Sequence, residues 1–266
     1  MTTNQNLNGM KVFKHFVLLT VVITLSCKET EAQQRSEVQP ITIYTIGDST
    51  MANKKNPEEN PEHGWAQVLQ QFFNDNATID NRAVNGRSSR SFISEGKWDS
   101  VLKTLKKGDY VFIQFGHNDQ KEKSPDRYTN PHTTYRHNLI KYVLDTREKG
   151  AIPVLMSSIA RRNFNEFGTL IDTHSEYPLE TRLVAMEYNV PFIDMQYLTE
   201  HLEESYGVEG SKKLHLHYEP GEVPYYPEGK RDDTHLSELG ATEVAKLAIG
   251  ELRIKVPDLI PYLKGQ

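Results

Sequence analysis

The chain has 266 residues, a formal net charge of −5, 37% hydrophobic residues and 25% charged residues. That length can bury a full core, and this balance excludes a disordered chain. The acidic total and the scattered Lys and Arg residues give no electrostatic case for nucleic acid as a partner.

The N-terminus differs from the rest. Lys11 and Lys14 precede "FVLLTVVITL", an apolar run too short to span a bilayer as a stable helix. The polar stretch "SCKETEAQQRSEVQP" follows. Basic flank, short apolar run and small residues predict a secretory signal plus short linker over residues 1–38, and export to the periplasm or cell surface. Cys27 is the only cysteine, so no internal disulfide is available. It stands where a bacterial lipoprotein carries its lipidated first residue, with Thr24 in place of the usual apolar residue. Membrane attachment is expected only through a lipidated Cys27. Plain secretion with cleavage near Ala32 is the alternative.

From residue 39 to 266 the pattern predicts one domain of alternating strands and helices. "ITIYTI" reads as a buried strand, "GWAQVLQQFF" as an amphipathic helix and "ATIDNRAV" as a second strand. "KWDSVLKTLKKG" reads as a helix closed by Gly108, and "DYVFIQF" as a buried strand. "TTYRHNLIKYVLDTREKG" is a predicted helix ending at Gly150, followed by the strand "AIPVLMSSI". Then come the helix "YPLETRLVAMEYN", the strand "VPFIDM" and the final helix "SELGATEVAKLAIGELRI". Such alternation implies βαβ units and a parallel sheet covered on both faces, the α/β class.

Polar clusters follow the strands. "GDS" with Ser49 ends the first, "NGRSSRSF" with Gly86 and Arg87 follows the second, and "GHNDQ" with Asn118 follows the third. "DDTHLS", with Asp232 and His235, precedes the last helix. Open α/β sheets put their chemistry at this edge. Each cluster taken alone reads better as a turn or a helix cap. Together they supply an acyl-transfer site. A serine hydroxyl is a weak nucleophile until a base takes its proton, and His235 is the candidate base. The histidine needs a carboxylate on its other nitrogen, from Asp232 or from its rival Asp233. The backbone N–H groups of Gly86 and Ser49 and the Asn118 amide are candidate oxyanion donors, each worth about 2.7–4 kcal/mol to the transition state.

Ser49 in "GDS", Gly86 in "NGRSSRSF", Asn118 in "GHND" and His235 in "DDTHLS" resemble the SGNH (GDSL-type) hydrolases, in the family's order. "GDSTMA", "GWAQ", "GRSSRSF", "GDYVFIQFGHND" and "DTHLS" look like the rhamnogalacturonan acetylesterase branch. The resemblance implies a three-layer α/β/α, flavodoxin-like sandwich with a parallel five-stranded sheet. It also implies Ser49 as nucleophile, Gly86 and Asn118 as oxyanion donors, and Asp232 with His235 completing the triad. The expected reaction is O-deacetylation of an acetylated polysaccharide, rhamnogalacturonan of pectin before xylan, without a cofactor. A lipid-directed hydrolase and a non-catalytic glycan-binding protein are the alternatives.

Other residues carry weaker signals. Arg87 and Arg90 are candidates to pair with uronate carboxylates, or else to make ordinary salt bridges. Tyr225 and Tyr226, in the Pro/Gly-rich stretch 219–231, are candidates to rim a sugar cleft. His215 and His217 share one side of an extended segment, as metal ligands can, but no third ligand is evident and no metal is expected. Asp48 is expected to bond its own loop rather than act in catalysis.

Overall fold

A computed structural model describes residues 38–265. The predicted signal, Cys27 and the cleavage point lie outside the described residues.

The central sheet is built from β1 (Ile41–Gly47), β3 (Ala77–Asn81), β4 (Tyr110–Gln114), β5 (Ile152–Met156) and β6 (Phe192–Ile193). Their order is β3-β1-β4-β5-β6, and every pairing is parallel. All five residues of β4 are buried, as a strand covered on both faces requires. One face packs Ile43, Phe112, Val154 and Ile193 against Trp65, Leu69 and the helix Glu238–Lys255. The other packs Ile46, Val111, Ile113 and Leu155 against Phe92, Trp98, Tyr142 and Val184. This is the expected α/β/α sandwich.

The helices, in chain order, are α1 (Ser89–Ser94), α2 (Lys97–Leu102), α3 (Arg136–Glu148), α4 (Tyr177–Glu187), α5 (Met195–Gly210) and α6 (Glu238–Lys255). Several differ from the sequence reading. Trp65–Phe72 forms a 3-10 helix rather than an α-helix, and α2 stops at Leu102 instead of continuing to Gly108. β3 ends at Asn81, three residues before the predicted end, because the chain then leaves the sheet toward the Gly86 turn. Asp194, placed in the last predicted strand, instead caps α5 by accepting from Tyr197 N.

Two regions were not foreseen. One is α5 itself. The other is a small antiparallel sheet, β2-β8-β7, formed by Glu62–His63, Lys230–Ser237 and His215–Tyr218. "DDTHLS" therefore lies within a strand, β8, and not in a loop that caps the last helix. The cap of α6 is Ser237, whose Oγ accepts from Gly240 N at 3.1 Å.

Candidate active site

Ser49 follows β1 directly, and its loop is wired to the sheet. Asp48, wholly buried, accepts from Thr50 N at 2.9 Å and Thr50 Oγ1 at 2.8 Å. Gln114, the last residue of β4, donates to Thr50 Oγ1 and accepts from Trp65 Nε1, both at 2.9 Å. Asp48 thus bonds its own loop. Burial alone would raise its carboxyl, but His117 and the two Thr50 donors bring it down to about 2. Its Oδ2 stands 3.3 Å from His117 Nδ1, close enough for charge attraction but not aligned as a hydrogen bond.

The second cluster owes its shape to a turn and a cap. Arg87 N donates to Val84 O, and the turn places Gly86 at φ +74°, a region side chains disfavour. Ser88 then caps α1 reciprocally with Ser91. Ser89 N and Ser89 Oγ both donate to Asp119, tying this loop to the third cluster. Thr129 Oγ1 donates to the same carboxylate at 2.9 Å. Burial nevertheless pushes the Asp119 carboxyl up to about 7.

Asn118 is held on both ends of its amide. Its Nδ2 donates to Arg87 O at 3.2 Å, and its Oδ1 accepts from Lys121 Nζ at 2.8 Å. The orientation of the amide is therefore set, with a second N–H left over. Gly116, just before, has φ +152°, and a Cβ there would stand 2.1 Å from Ser158 Oγ.

The fourth cluster meets the first. His235 Nε2 lies 2.9 Å from Ser49 Oγ, and His235 Nδ1 lies 2.9 Å from Asp232 Oδ2. With Nδ1–H donating to the carboxylate, Nε2 is free to accept the Ser49 hydroxyl proton. Asp232 Oδ1 accepts from the backbone N–H groups of Thr234 and His235, each at 3.0 Å. Partial burial opposes ionisation, yet these donors hold the Asp232 carboxyl well below the usual carboxylate range. Asp233 points elsewhere, to Arg162 Nη1 at 2.8 Å and His217 Nε2 at 2.7 Å. The geometry thus separates the two aspartates that spacing left open.

Lys54 links the pieces, a role that nothing in its local sequence signals. Its side chain is only 2% exposed, and Nζ bonds Ser49 O at 2.5 Å, Asn85 Oδ1 at 3.0 Å and Glu62 Oε1 at 2.7 Å. All three ammonium protons are spent, on the nucleophile's carbonyl, the loop before Gly86 and the small sheet. A second unforeseen pair backs the base. His215 Nε2 lies 2.6 Å from Glu203 Oε1 and His215 Nδ1 lies 3.1 Å from His235 O. Both nitrogens face acceptors, so a doubly protonated ring satisfies both.

The remaining candidates fall as follows. Arg87 bonds Glu95 and Asn85 O, while Arg90, among the described residues, reaches only Tyr128 O at 3.5 Å. Tyr225 and Tyr226 sit in the β7–β8 connection as an edge-to-face pair, with Tyr226 stacked on Tyr218 and near the Lys230 ammonium. His215 and His217 each pair with a carboxylate, and among the described residues no group of three side chains could hold a metal. A groove of about 600 Å³ lined by His132, Arg136, Glu180 and Met186 touches none of these residues.

Residues 45–242 match the GDSL-like lipase/acylhydrolase family. The chain is 41% identical to the rhamnogalacturonan acetylesterase RhgT of Bacillus subtilis (strain 168), covering 86% of this chain and 97% of that protein. It is 35% identical to the probable rhamnogalacturonan acetylesterase YesY of the same organism, over 77% and 89% of the two chains. The crystal structure of Bacillus subtilis protein YXIM superposes with a TM-score of 0.70 at 26% identity. That match covers 82% of this chain but only 57% of that one. With the family match spanning most of the chain and the Ser49, His235 and Asp232 side chains in hydrogen-bonded series, this protein belongs to the GDSL-like lipase/acylhydrolase family of carboxylic ester hydrolases.

Proposed function

We propose that the protein is a serine carbohydrate esterase that removes O-acetyl groups from a plant cell-wall polysaccharide, rhamnogalacturonan of pectin. The observation that carries this reading is the unbroken series Ser49 Oγ–His235–Asp232, at 2.9 Å for each link. The Asn118 amide, fixed by Arg87 O and Lys121 and keeping a spare N–H, is the side-chain oxyanion donor in this reading. The two relatives at 35% identity or more supply the substrate class.

Ser49 Oγ attacks the ester carbonyl as its proton passes to His235 Nε2. The carbonyl oxygen becomes an oxyanion facing the N–H groups of Ser49 and Gly86 and the Asn118 amide. The imidazolium is stabilised by ionised Asp232, and returns the proton to the departing sugar oxygen. Water then gives a proton to His235, attacks the acetyl-Ser49 ester, and acetate leaves as the proton returns to Ser49 Oγ.

Export suits a polymer that is met outside the cell, and we extend the proposal to an exported protein anchored at Cys27. Mass spectrometry of the mature N-terminus tests that point: a lipidated Cys27 supports it, and a free end near Ala32 replaces it with plain secretion.

The function is tested by acetate release from acetylated rhamnogalacturonan oligomers, with acetylated xylan as second substrate. Release from the pectin oligomers, reduced about 10⁶-fold in kcat by Ser49→Ala, is the expected result. Release from xylan alone would move the substrate and keep the mechanism. Absence of Ser49-dependent hydrolysis, even of an aryl acetate, would sink the esterase reading.

A further inference from the structure

Cations gather beside the oxyanion donors with few anions to meet them. Arg87, the arginine nearest Gly86 in sequence, is committed to Glu95. The guanidinium that packs on Gly86 is instead that of Arg127. Its Nη1 and Cζ lie 3.8 and 4.0 Å from where a Cβ on Gly86 would stand. Arg127 is half-buried, and among the described residues its guanidinium has no hydrogen-bond or ion-pair partner. Lys121 spends one of its three protons on Asn118 Oδ1 and forms no ion pair among the described residues. Among the described residues Arg161 hydrogen-bonds only neutral oxygens, those of Thr173 and His117, with the Asp48 and Asp172 carboxylates acting on it through space. Glu122 and Asp126 lie in the same turn region but pair with neither Lys121 nor Arg127, and both are exposed.

Proteins rarely leave a partly buried guanidinium unpaired, since desolvation without a partner is costly. Burial first, then the nearby charges of Arg127 and Arg161, hold the Lys121 ammonium below its ordinary value, with the Asp48 carboxylate only partly opposing them. An anion brought between Arg127 and Lys121 would relieve that repulsion. The fork of a guanidinium fits a planar carboxylate in two parallel hydrogen bonds. The transient oxyanion is a weaker match, because it already has three neutral donors.

We propose that Arg127 and Lys121 form a carboxylate-binding subsite that seats a uronate group of the substrate sugar chain beside the scissile acetyl ester. The proposal rests on the carbohydrate esterase reading above. It replaces the arginines singled out from sequence, Arg87 and Arg90, as the carboxylate readers. Acetylated chains bearing uronates would then be chosen over neutral ones in the ground state, through KM rather than kcat.

The test uses hydrolysis of an aryl acetate, inhibited by oligogalacturonate or by the same oligomer with its carboxyls reduced to alcohols. In the wild-type protein the acidic oligomer is expected to bind at least about tenfold more tightly. That preference should shrink as ionic strength rises and the screening length falls from about 30 to about 3 Å. Arg127→Gln should remove most of it, and Arg127→Lys should keep part, since charge survives but the fork does not. Equal inhibition by both oligomers, or a preference that survives Arg127→Gln, overturns the subsite while Ser49-dependent hydrolysis leaves the esterase reading standing. A fall in kcat for every acetate with the acidic preference intact also overturns it, and makes Arg127 an oxyanion stabiliser. Loss of all Ser49-dependent hydrolysis in the wild type overturns the esterase reading and the subsite together. Because the salt and inhibitor measurements need only the wild-type chain, they can overturn the subsite even where Arg127→Gln fails to fold, and Arg127→Lys then tests the assignment to this side chain.

Discussion

Ser49 and His235 meet at 2.9 Å but come from unlike scaffolds. The nucleophile follows β1, whose partner β4 is buried at every position, so its loop inherits the rigidity of a packed parallel sheet. The base lies on β8, a half-exposed strand of the small antiparallel sheet, where apolar packing offers much less. There the work falls to charge: Asp232 under His235, Glu203 behind His215, and Asp233 between Arg162 and His217. The nucleophile's side should therefore be sensitive to buried contacts, and the base's side to single polar groups.

Beyond the loss of the nucleophile itself, the largest expected effect tests the base's side. Asp232→Asn should lower kcat on an aryl acetate about 10⁴-fold, because the imidazole loses the acceptor that fixes its tautomer and steadies its charge. Asp233→Asn should change it by less than about tenfold, since that carboxylate touches Arg162 and His217 and not the base. Comparable losses in the two variants would remove the distinction between them.

Lys54→Met tests the junction of the two scaffolds. It strands Glu62 and leaves Ser49 O without its cation, so a stability loss of about 3 kcal/mol is expected in chemical denaturation. A loss below about 1 kcal/mol would mean that the buried ammonium contributes little to the joint. Glu203→Gln should cost less, about 2 kcal/mol, as one charged hydrogen bond becomes neutral. Because His215 holds His235 O, the same variant should lower kcat with KM little changed. An unaltered kcat would reduce the pair to a structural role.

The comparison also explains what the sequence made legible. β1, β4 and β5 are continuous apolar runs, and the polar clusters with Ser49, Gly86 and Asn118 stand where those runs or their neighbours end. The small sheet left no such trace. "HLHY" and "KRDDTHLS" mix charge with apolar residues and flank a Pro/Gly-rich connection, which resembles a loop. Recognising β8 would not have settled the aspartates: a period of two puts Asp233, not Asp232, on the face of His235, and it is the irregularity that shifts the register from His215–Leu236 to Leu216–Asp232 that turns Asp232 to the base. Lys54 and Lys55 are neighbours in a charged stretch, one buried and one exposed, and nothing local distinguishes them. Nor could spacing foretell that Glu95 would claim Arg87 and leave Arg127 beside Gly86.

The smallest effect concerns two buried aspartates on the nucleophile's side, shifted in opposite directions. Asp48 sits at about 2 when folded, against 3.8 for a free carboxyl. Its share of stability, about 2 kcal/mol, is fully present above pH 4 and is lost as pH falls through about 2. Asp119 sits at about 7, so its contribution runs the other way. It is greatest below pH 4, where both states are protonated, and declines as pH rises toward 7, since the unfolded chain ionises first. Thermal melts from pH 2 to 8 should therefore show Asp48→Asn flattening the acid arm and Asp119→Asn flattening the fall between pH 4 and 7. If Asp119→Asn leaves that slope untouched, the four hydrogen bonds from Ser89 and Thr129 have outweighed burial and Asp119 is already ionised at mildly acidic pH. The carboxylate behind Asn118 would then be a second fixed negative charge beside Asp48, drawing the Lys121 and Arg127 cations inward and weakening their hold on a substrate carboxylate.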